Sequence, residues 1–227
     1  MIKLENVSKK FSSTITAVSD INLEIGNGEF VFIVGPSGAG KSTLLRLLAR
    51  EYPPSTGKVL VDDVDIARLS AKDLPNYRRK VGFVLQDFKL LDDRTVFENV
   101  ALALEVRQFK DEEIEKEVER ILKLFEIWDR RNLFPTELSG GEAQRTAIAR
   151  AIIGKPALLL ADEPTGDLDP QTSWAVLQLL NEINSWGTTV VMATHNVEIV
   201  NTLKRRVIVV KEGHITKDKK EGKYEIH

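Results

Sequence analysis

Gly35-Pro36-Ser37-Gly38-Ala39-Gly40-Lys41-Ser42 is the stretch on which the fold turns. It matches G-x-x-x-x-G-K-[ST], the pattern of a phosphate-binding loop. Glycines let backbone N–H groups converge on phosphate oxygens with no Cβ in the way. A helix starting at the lysine adds the partial positive charge of its N-terminus. Lys41 is then placed to reach the β- and γ-phosphates of a nucleotide, and the Ser42 hydroxyl to coordinate Mg2+. A glycine-rich turn with no ligand carries similar letters, so the flanks decide. Residues 30–34, Phe-Val-Phe-Ile-Val, are apolar on both faces, as a parallel strand covered by helices would be. Residues 42–50 follow with a helical pattern.

Upstream of the loop, Ile2, Leu4 and Val7 alternate with polar residues, and Val18, Ile21, Leu23 and Ile25 keep the same period. Gly26-Asn27-Gly28-Glu29 is a turn by its composition. Downstream, residues 95–106 and 111–126 predict helices. In the second, Ile114, Val118, Ile121, Leu122 and Phe125 make one apolar stripe, and Glu119 with Lys123 forms an i,i+4 pair on its wet side. A helical lobe is expected at about 86–138. After it come a helix at 142–153, a strand at 157–161, a helix at 170–184, and strands at 188–193 and 206–210. Asp169-Pro170 reads as N-cap and N1 of the helix at 170–184. The charged tail at 217–223 is expected to fray. Strands alternating with helices imply an α/β fold with a parallel sheet.

Composition narrows the classes. The chain has 227 residues, 42% apolar and 29% charged, enough for one domain with a sizeable core and not the profile of disorder. With 32 Lys plus Arg against 34 Asp plus Glu, it lacks the basic excess of a nucleic-acid binder. Cysteine is absent, which excludes a disulfide framework, a thiolate metal site and a cysteine nucleophile, and agrees with a reducing cytoplasm. No run approaches the ~18 apolar residues of a membrane span. The first five residues lack the apolar core of a signal peptide. Any membrane association is therefore expected to come through a partner.

A second acidic centre stands at Leu158-Leu159-Leu160-Ala161-Asp162-Glu163. Two carboxylates closing a buried apolar strand are costly without a cation nearby, and a magnesium nucleotide supplies one. Asp162 would hold Mg2+, and Glu163 would polarise or deprotonate the attacking water. Leu138-Ser139-Gly140-Gly141-Glu142 reads locally as a capping box, Ser-x-x-Glu. A cap does not need two glycines, and Ser-Gly-Gly at a helix start is also an exposed anion-binding surface.

With that motif the sequence resembles the ABC ATPase family along nearly its whole length. Lys41 and Ser42 fall in its phosphate loop, Gln86 matches its Q-loop, and Ser139-Gly140-Gly141 its signature. Asp162 and Glu163 match its Walker B pair, Asp169 in Gly166-Asp167-Leu168-Asp169 its D-loop, and His195 after Met192-Ala193-Thr194 its switch histidine. The resemblance implies a RecA-like P-loop core, an N-terminal antiparallel β subdomain and an inserted helical subdomain, all within one nucleotide-binding domain spanning 1–227. It implies ATP hydrolysis with Mg2+, with Glu163, His195 and Lys41 as catalytic residues and Ser42, Gln86 and Asp162 at the metal. Nucleotide contacts would come from Phe11 stacking on adenine, from Val18, and from Gly35, Pro36, Ser37, Gly38, Ala39, Gly40, Lys41, Ser42 and Thr43. Gln86, Ser139, Gly140, Gly141 and Asp169 would complete them. Two copies are expected to pack head to tail around two ATP molecules.

The segment from Gln86 through Phe88, Leu90 and Leu91 to Val100, with Thr172-Ser173-Trp174, resembles the cell-division branch of the family. That implies an FtsX-like integral membrane partner, receiving the ATPase on the inner face of the membrane at the division septum. It further implies indirect control of a peptidoglycan hydrolase or its activator. Phe88, Leu90 and Leu91 are candidates to line the groove for that partner's cytoplasmic helix. The alternative is the ATPase of a lipoprotein-release or macrolide-type efflux transporter. Asp167, Ala143 and Asp62-Asp63 depart from the branch's usual residues. Trp128, Trp174 and Trp186 are expected to pack, and Arg78-Arg79-Lys80, Arg130-Arg131 and Lys204-Arg205-Arg206 to be solvated. His214 and His227 carry no assigned role.

Overall fold

Alternation in the sequence becomes burial at once. In β1 (Ile2–Lys10), Ile2, Leu4 and Val7 point inward, and they meet Val18, Ile21, Leu23 and Ile25 of the antiparallel β2 (Thr16–Ile25). The computed structural model describes residues 1–220. β3 (Phe30–Val34) is buried throughout and leads through the glycine loop into α1 (Lys41–Leu48). β4 (Thr56–Val61) and β5 (Val64–Asp65) form a hairpin over Asp62 and Asp63, whose φ values of 48° and 62° suit a type I′ turn. Then follow α2 (Leu74–Arg78), β6 (Val81–Val84), α3 (Val96–Glu105), α4 (Asp111–Leu124) and α5 (Gly140–Ile152). The chain continues with β7 (Leu158–Asp162), α6 (Pro170–Ser185), β8 (Thr189–Thr194), α7 (Val197–Leu203), β9 (Arg206–Lys211) and β10 (His214–Lys219).

Two sheets result. β2-β1-β4-β5 is antiparallel, and the second sheet has the order β10-β9-β3-β8-β7-β6. In the second, β9, β3, β8, β7 and β6 run parallel and β10 is added antiparallel at one edge. β3 shows why its run is apolar on both faces. Phe30, Phe32 and Val34 join a core with α3, α4, α5 and α6, while Val31 and Ile33 join another with α1 and the antiparallel sheet. The parallel order brings the ends of β3, β8 and β7 side by side. The glycine loop, His195 and the Asp162-Glu163 pair therefore emerge along one edge, as ligand sites of parallel sheets do.

Between β6 and β7 the chain is helical, and α3 packs against both α4 and α5. The stripe on α4 is buried as expected, and Lys123 Nζ lies 2.5 Å from Glu119 on its outer side. Several expectations need correction. β6 has no counterpart in the sequence analysis, because four residues interrupted by Gly82 carry no period. Lys217, Asp218 and Lys219 are strand residues paired with β9, not frayed tail; residues 221–223 and His227 lie outside the described residues. Arg206 is not solvated, since its guanidinium bonds Glu29 at 3.0 Å and Asp218 at 2.7 Å. Trp174 and Trp186 are exposed, at 41% and 49%, and only Trp128 packs against a core.

Candidate nucleotide-binding and hydrolysis site

The glycine loop encloses a cavity of about 970 Å3, walled by residues 35–43, Ala17, Gln86, Glu163 and His195, and by the β9–β10 hairpin. Gly40 has φ 106°, and a Cβ there would lie 2.5 Å from the Ala17 oxygen and 2.8 Å from Val18 Cγ1. The loop therefore needs glycine to pass this close to β2. Val18 is fully buried behind the loop, and its neighbour Ala17 is the residue that faces the cavity.

Lys41 is 7% exposed. Its ammonium donates to the Gly35 oxygen at 2.9 Å and the Pro36 oxygen at 3.2 Å, and stands 3.5 Å from Glu163 Oε1. Two neutral carbonyls are modest partners for a buried ammonium; phosphate oxygens are stronger ones. At the next residue, Ser42 Oγ donates to Asp162 Oδ1 at 2.9 Å. Burial, reinforced by the neighbouring Glu163 charge, pushes the Asp162 carboxyl above its ordinary value. A hydroxyl and a strained carboxylate beside a phosphate cradle are the oxygen donors Mg2+ takes when phosphates and waters supply the rest. Gln86 reaches the same cavity, with its Nε2 donating to Asp167 Oδ2 at 3.3 Å.

Glu163 is held from three sides. Its φ is 48°, and its N–H donates to the Ala193 oxygen of β8 at 2.9 Å. Its Oε2 accepts from the His195 N–H at 3.2 Å, and its Oε1 lies 2.9 Å from His195 Nδ1. The carboxylate thus bridges the phosphate-loop lysine and the histidine, and the His195 ring stays largely exposed toward the cavity.

A second patch stands apart. Ser139 caps α5: its Oγ accepts from Glu142 N at 3.3 Å, and Glu142 Oε2 accepts from Ser139 N at 2.8 Å. Arg130 Nε donates to Glu142 Oε1 at 2.7 Å, and that bond, with those from Ser139, holds the Glu142 carboxyl down to about 2. A Cβ on Gly141 would lie 2.6 Å from Thr172 Cγ2 of α6. Asp169 caps α6 through Gln171 N and Thr172 N, and the Thr172 hydroxyl holds its carboxyl below the ordinary value. Ser139, Gly140 and Asp169 are exposed on this patch, and none of the signature residues lines the cavity. Phe11 lies outside the cavity walls too, half exposed at the tip of the β1–β2 hairpin.

Several shaping residues have no local sequence signal. Arg150 donates to the Phe88 oxygen at 2.9 Å and the Lys89 oxygen at 2.7 Å, fixing the turn just after Gln86. The fully buried Asn99 donates to the Leu91, Arg94 and Thr95 oxygens and accepts from Leu91 N. Phe88 and Leu90 are half-buried beneath this network, and Leu91 is 37% exposed. Gln144 ties α5 to the Pro164 oxygen, one residue beyond Glu163.

Comparison with known proteins agrees with this geometry. The ABC transporter family profile matches residues 18–166. The cell division ATP-binding protein FtsE of Bacillus subtilis is 50% identical over 224 residues, covering 99% of this chain and 98% of that protein. The methionine import ATP-binding protein MetN of Carboxydothermus hydrogenoformans is 46% identical over 205 residues, covering 90% of this chain and 61% of its own. The dimeric ATP-binding cassette MJ0796, in a post-hydrolysis state bound to ADP and Pi, has a TM-score of 0.90 at 39% identity, covering 99% of this chain and 100% of that one. The chain belongs to the ABC transporter family and is an ABC-type ATPase.

Proposed function

We propose that the chain works as an FtsE-type ATPase, closing in pairs on two Mg-ATP and driving an FtsX-like membrane protein that controls septal peptidoglycan hydrolysis. The observation that carries the pairing is the separation of the two patches. Ser139, Gly140, Gly141 and Asp169 do not line the phosphate-loop cavity of their own chain, so a second copy would bring its set to cover the nucleotide. The division role is supported by the 50% identity to FtsE over nearly the full chain.

Each residue then has a task. Lys41 exchanges the Gly35 and Pro36 carbonyls for the β- and γ-phosphates, and the loop amides of 35–43 hold the remaining oxygens. Ser42, Asp162 and Gln86 hold Mg2+, which, when bound, neutralises charge developing between the phosphates. Glu163 takes or polarises the proton of the attacking water, while His195 fixes the carboxylate and faces the γ-phosphate. Phe11 offers its ring to adenine. The Ser139-Gly140-Gly141 amides of the second copy add the positive end of α5 to the γ-phosphate. Loss of the bridging phosphate after hydrolysis loosens the pair.

The chain acts as one cassette, with the helical subdomain at about 86–138 as its transmitting part. A groove of about 450 Å3 between α2, β6, α3 and α5 is lined by Phe83, Leu102 and Val106 together with Arg78, Arg79, Arg107 and Arg150. Among the described residues none of these arginines pairs with a carboxylate. An apolar, acidic segment of the membrane partner suits it, and β6 runs from the groove to Gln86. Among the described residues no helix is long and apolar enough to cross a membrane, and the partner would anchor the ATPase at the inner face of the septum. Affinity capture from native membranes tests the role. An FtsX-like polytopic protein should be recovered, and lost with Arg79→Glu/Arg107→Glu. Recovery of only a methionine-import or efflux permease would overturn it.

A further inference from the structure

Phe11 is the only base-stacking candidate in the proposed site, yet it protrudes from a hairpin tip at 50% exposure. A ring so placed would rotate freely and lose rotamer freedom when it stacked on a base. It is not free. The Tyr52 ring meets it edge-to-face, with centroids 5.2 Å apart and planes at 86°. Tyr52 belongs to neither the hairpin nor the glycine loop. It is half-buried beyond α1, and Arg46 Nη1 of α1 donates to its hydroxyl at 2.9 Å. Lys9 Nζ is bonded to the Pro53 oxygen at 2.9 Å and lies 5.3 Å from the Phe11 centroid and 5.6 Å from that of Tyr52. The hairpin itself is pinned near the loop, since Phe11 N donates to the Ile15 oxygen and the following strand passes against Gly40.

We propose that Tyr52 is a positioning residue for base recognition, locking the Phe11 ring in register with the helix that follows the phosphate loop. This rests on the reading that Phe11 stacks on adenine. An edge-to-face contact spends part of the aromatic surface and leaves the exposed side of Phe11 for the base. The Phe11–Tyr52 ring contact then sets the distance from base platform to phosphate cradle, which favours a purine nucleotide over a bare polyphosphate.

The test compares two ligands on the full-length chain. Calorimetric Kd values for Mg-ATP and for magnesium tripolyphosphate are measured for wild type, Tyr52→Leu, Tyr52→Phe and Phe11→Ala. Tyr52→Leu should weaken ATP about 3–10-fold, the range of an aromatic pair. It should leave tripolyphosphate unchanged, and Tyr52→Phe, which keeps the ring, should stay within about twofold of wild type. Tyr52→Leu in a Phe11→Ala background should cost nothing further. Equal weakening of both ligands, or no weakening of ATP while Phe11→Ala loses affinity, would overturn the positioning role alone. Full ATP affinity in Phe11→Ala would remove the stacking reading, and the proposal with it.

Discussion

Glu163 and Lys41 share one contact, 3.5 Å long, and that contact divides the chemistry of the site between them. In the proposed function the lysine is a binding group, and its buried ammonium rests on loop carbonyls. Lys41→Ala is expected to abolish measurable Mg-ATP affinity by calorimetry; unchanged binding would contradict its role. The glutamate, oriented by His195 on both oxygens, is the proposed rate group. Glu163→Gln should lower the hydrolysis rate by about 10²–10⁴ while ATP affinity holds, read by single-turnover phosphate release. A rate within twofold of wild type would contradict a role at the water. Both residues were legible in the sequence because their chemistry is local: a lysine closing a glycine loop, an acid closing an apolar strand. Tyr52, Arg46, Asn99 and Arg150 were not. Their partners lie 4 to 62 positions away, and most come near only through the fold. Val18 shows a subtler failure, since its neighbourhood was right while the strand's alternation turned Ala17 to the cavity instead.

At the scale of elements, caps and edges carry most of what can be tested. The N-terminus of α5 depends on Glu142, whose carboxyl is depressed from 4.5 to about 2, chiefly by Arg130. A depressed carboxylate stabilises the fold fully above its unfolded pKa and loses that contribution as pH falls through its folded value. The stability gap between wild type and Glu142→Gln should therefore be constant above about pH 5, narrow below it and close near pH 2. Thermal melts across that range check it, and a gap independent of pH would show that the ion pair is not the cause. At the sheet edge, Arg206 joins β9 to Glu29 and to Asp218 of β10. Removing the half-buried arginine leaves Glu29 and the exposed Asp218 without their cation. Arg206→Leu should raise amide exchange across β10 selectively, with the core of β3 and β8 unchanged. Unaltered protection in β10 would mean the strand is held by its ladder alone. The period of two was read well in β1 and β2, and the period of 3.6 in α4. β6 is too short for either, and β10 hid inside a charged run because an edge strand needs no apolar face.

At the scale of the molecule, the fold places a phosphate cradle at one end of the parallel sheet and a capped Ser-Gly-Gly surface on a different patch. No rearrangement within one chain is needed for either, but neither completes the other. The groove lined by four arginines stands at the head of β6, so in the proposed function a load applied there would reach Gln86 along the strand. In the proposed function these three surfaces belong to a machine whose states differ in how two copies meet. The most direct measurement is multi-angle light scattering of Glu163→Gln at saturating Mg-ATP. A dimer that returns to monomer when ATP is replaced by ADP is the predicted result, and a species that stays monomeric throughout would contradict the account.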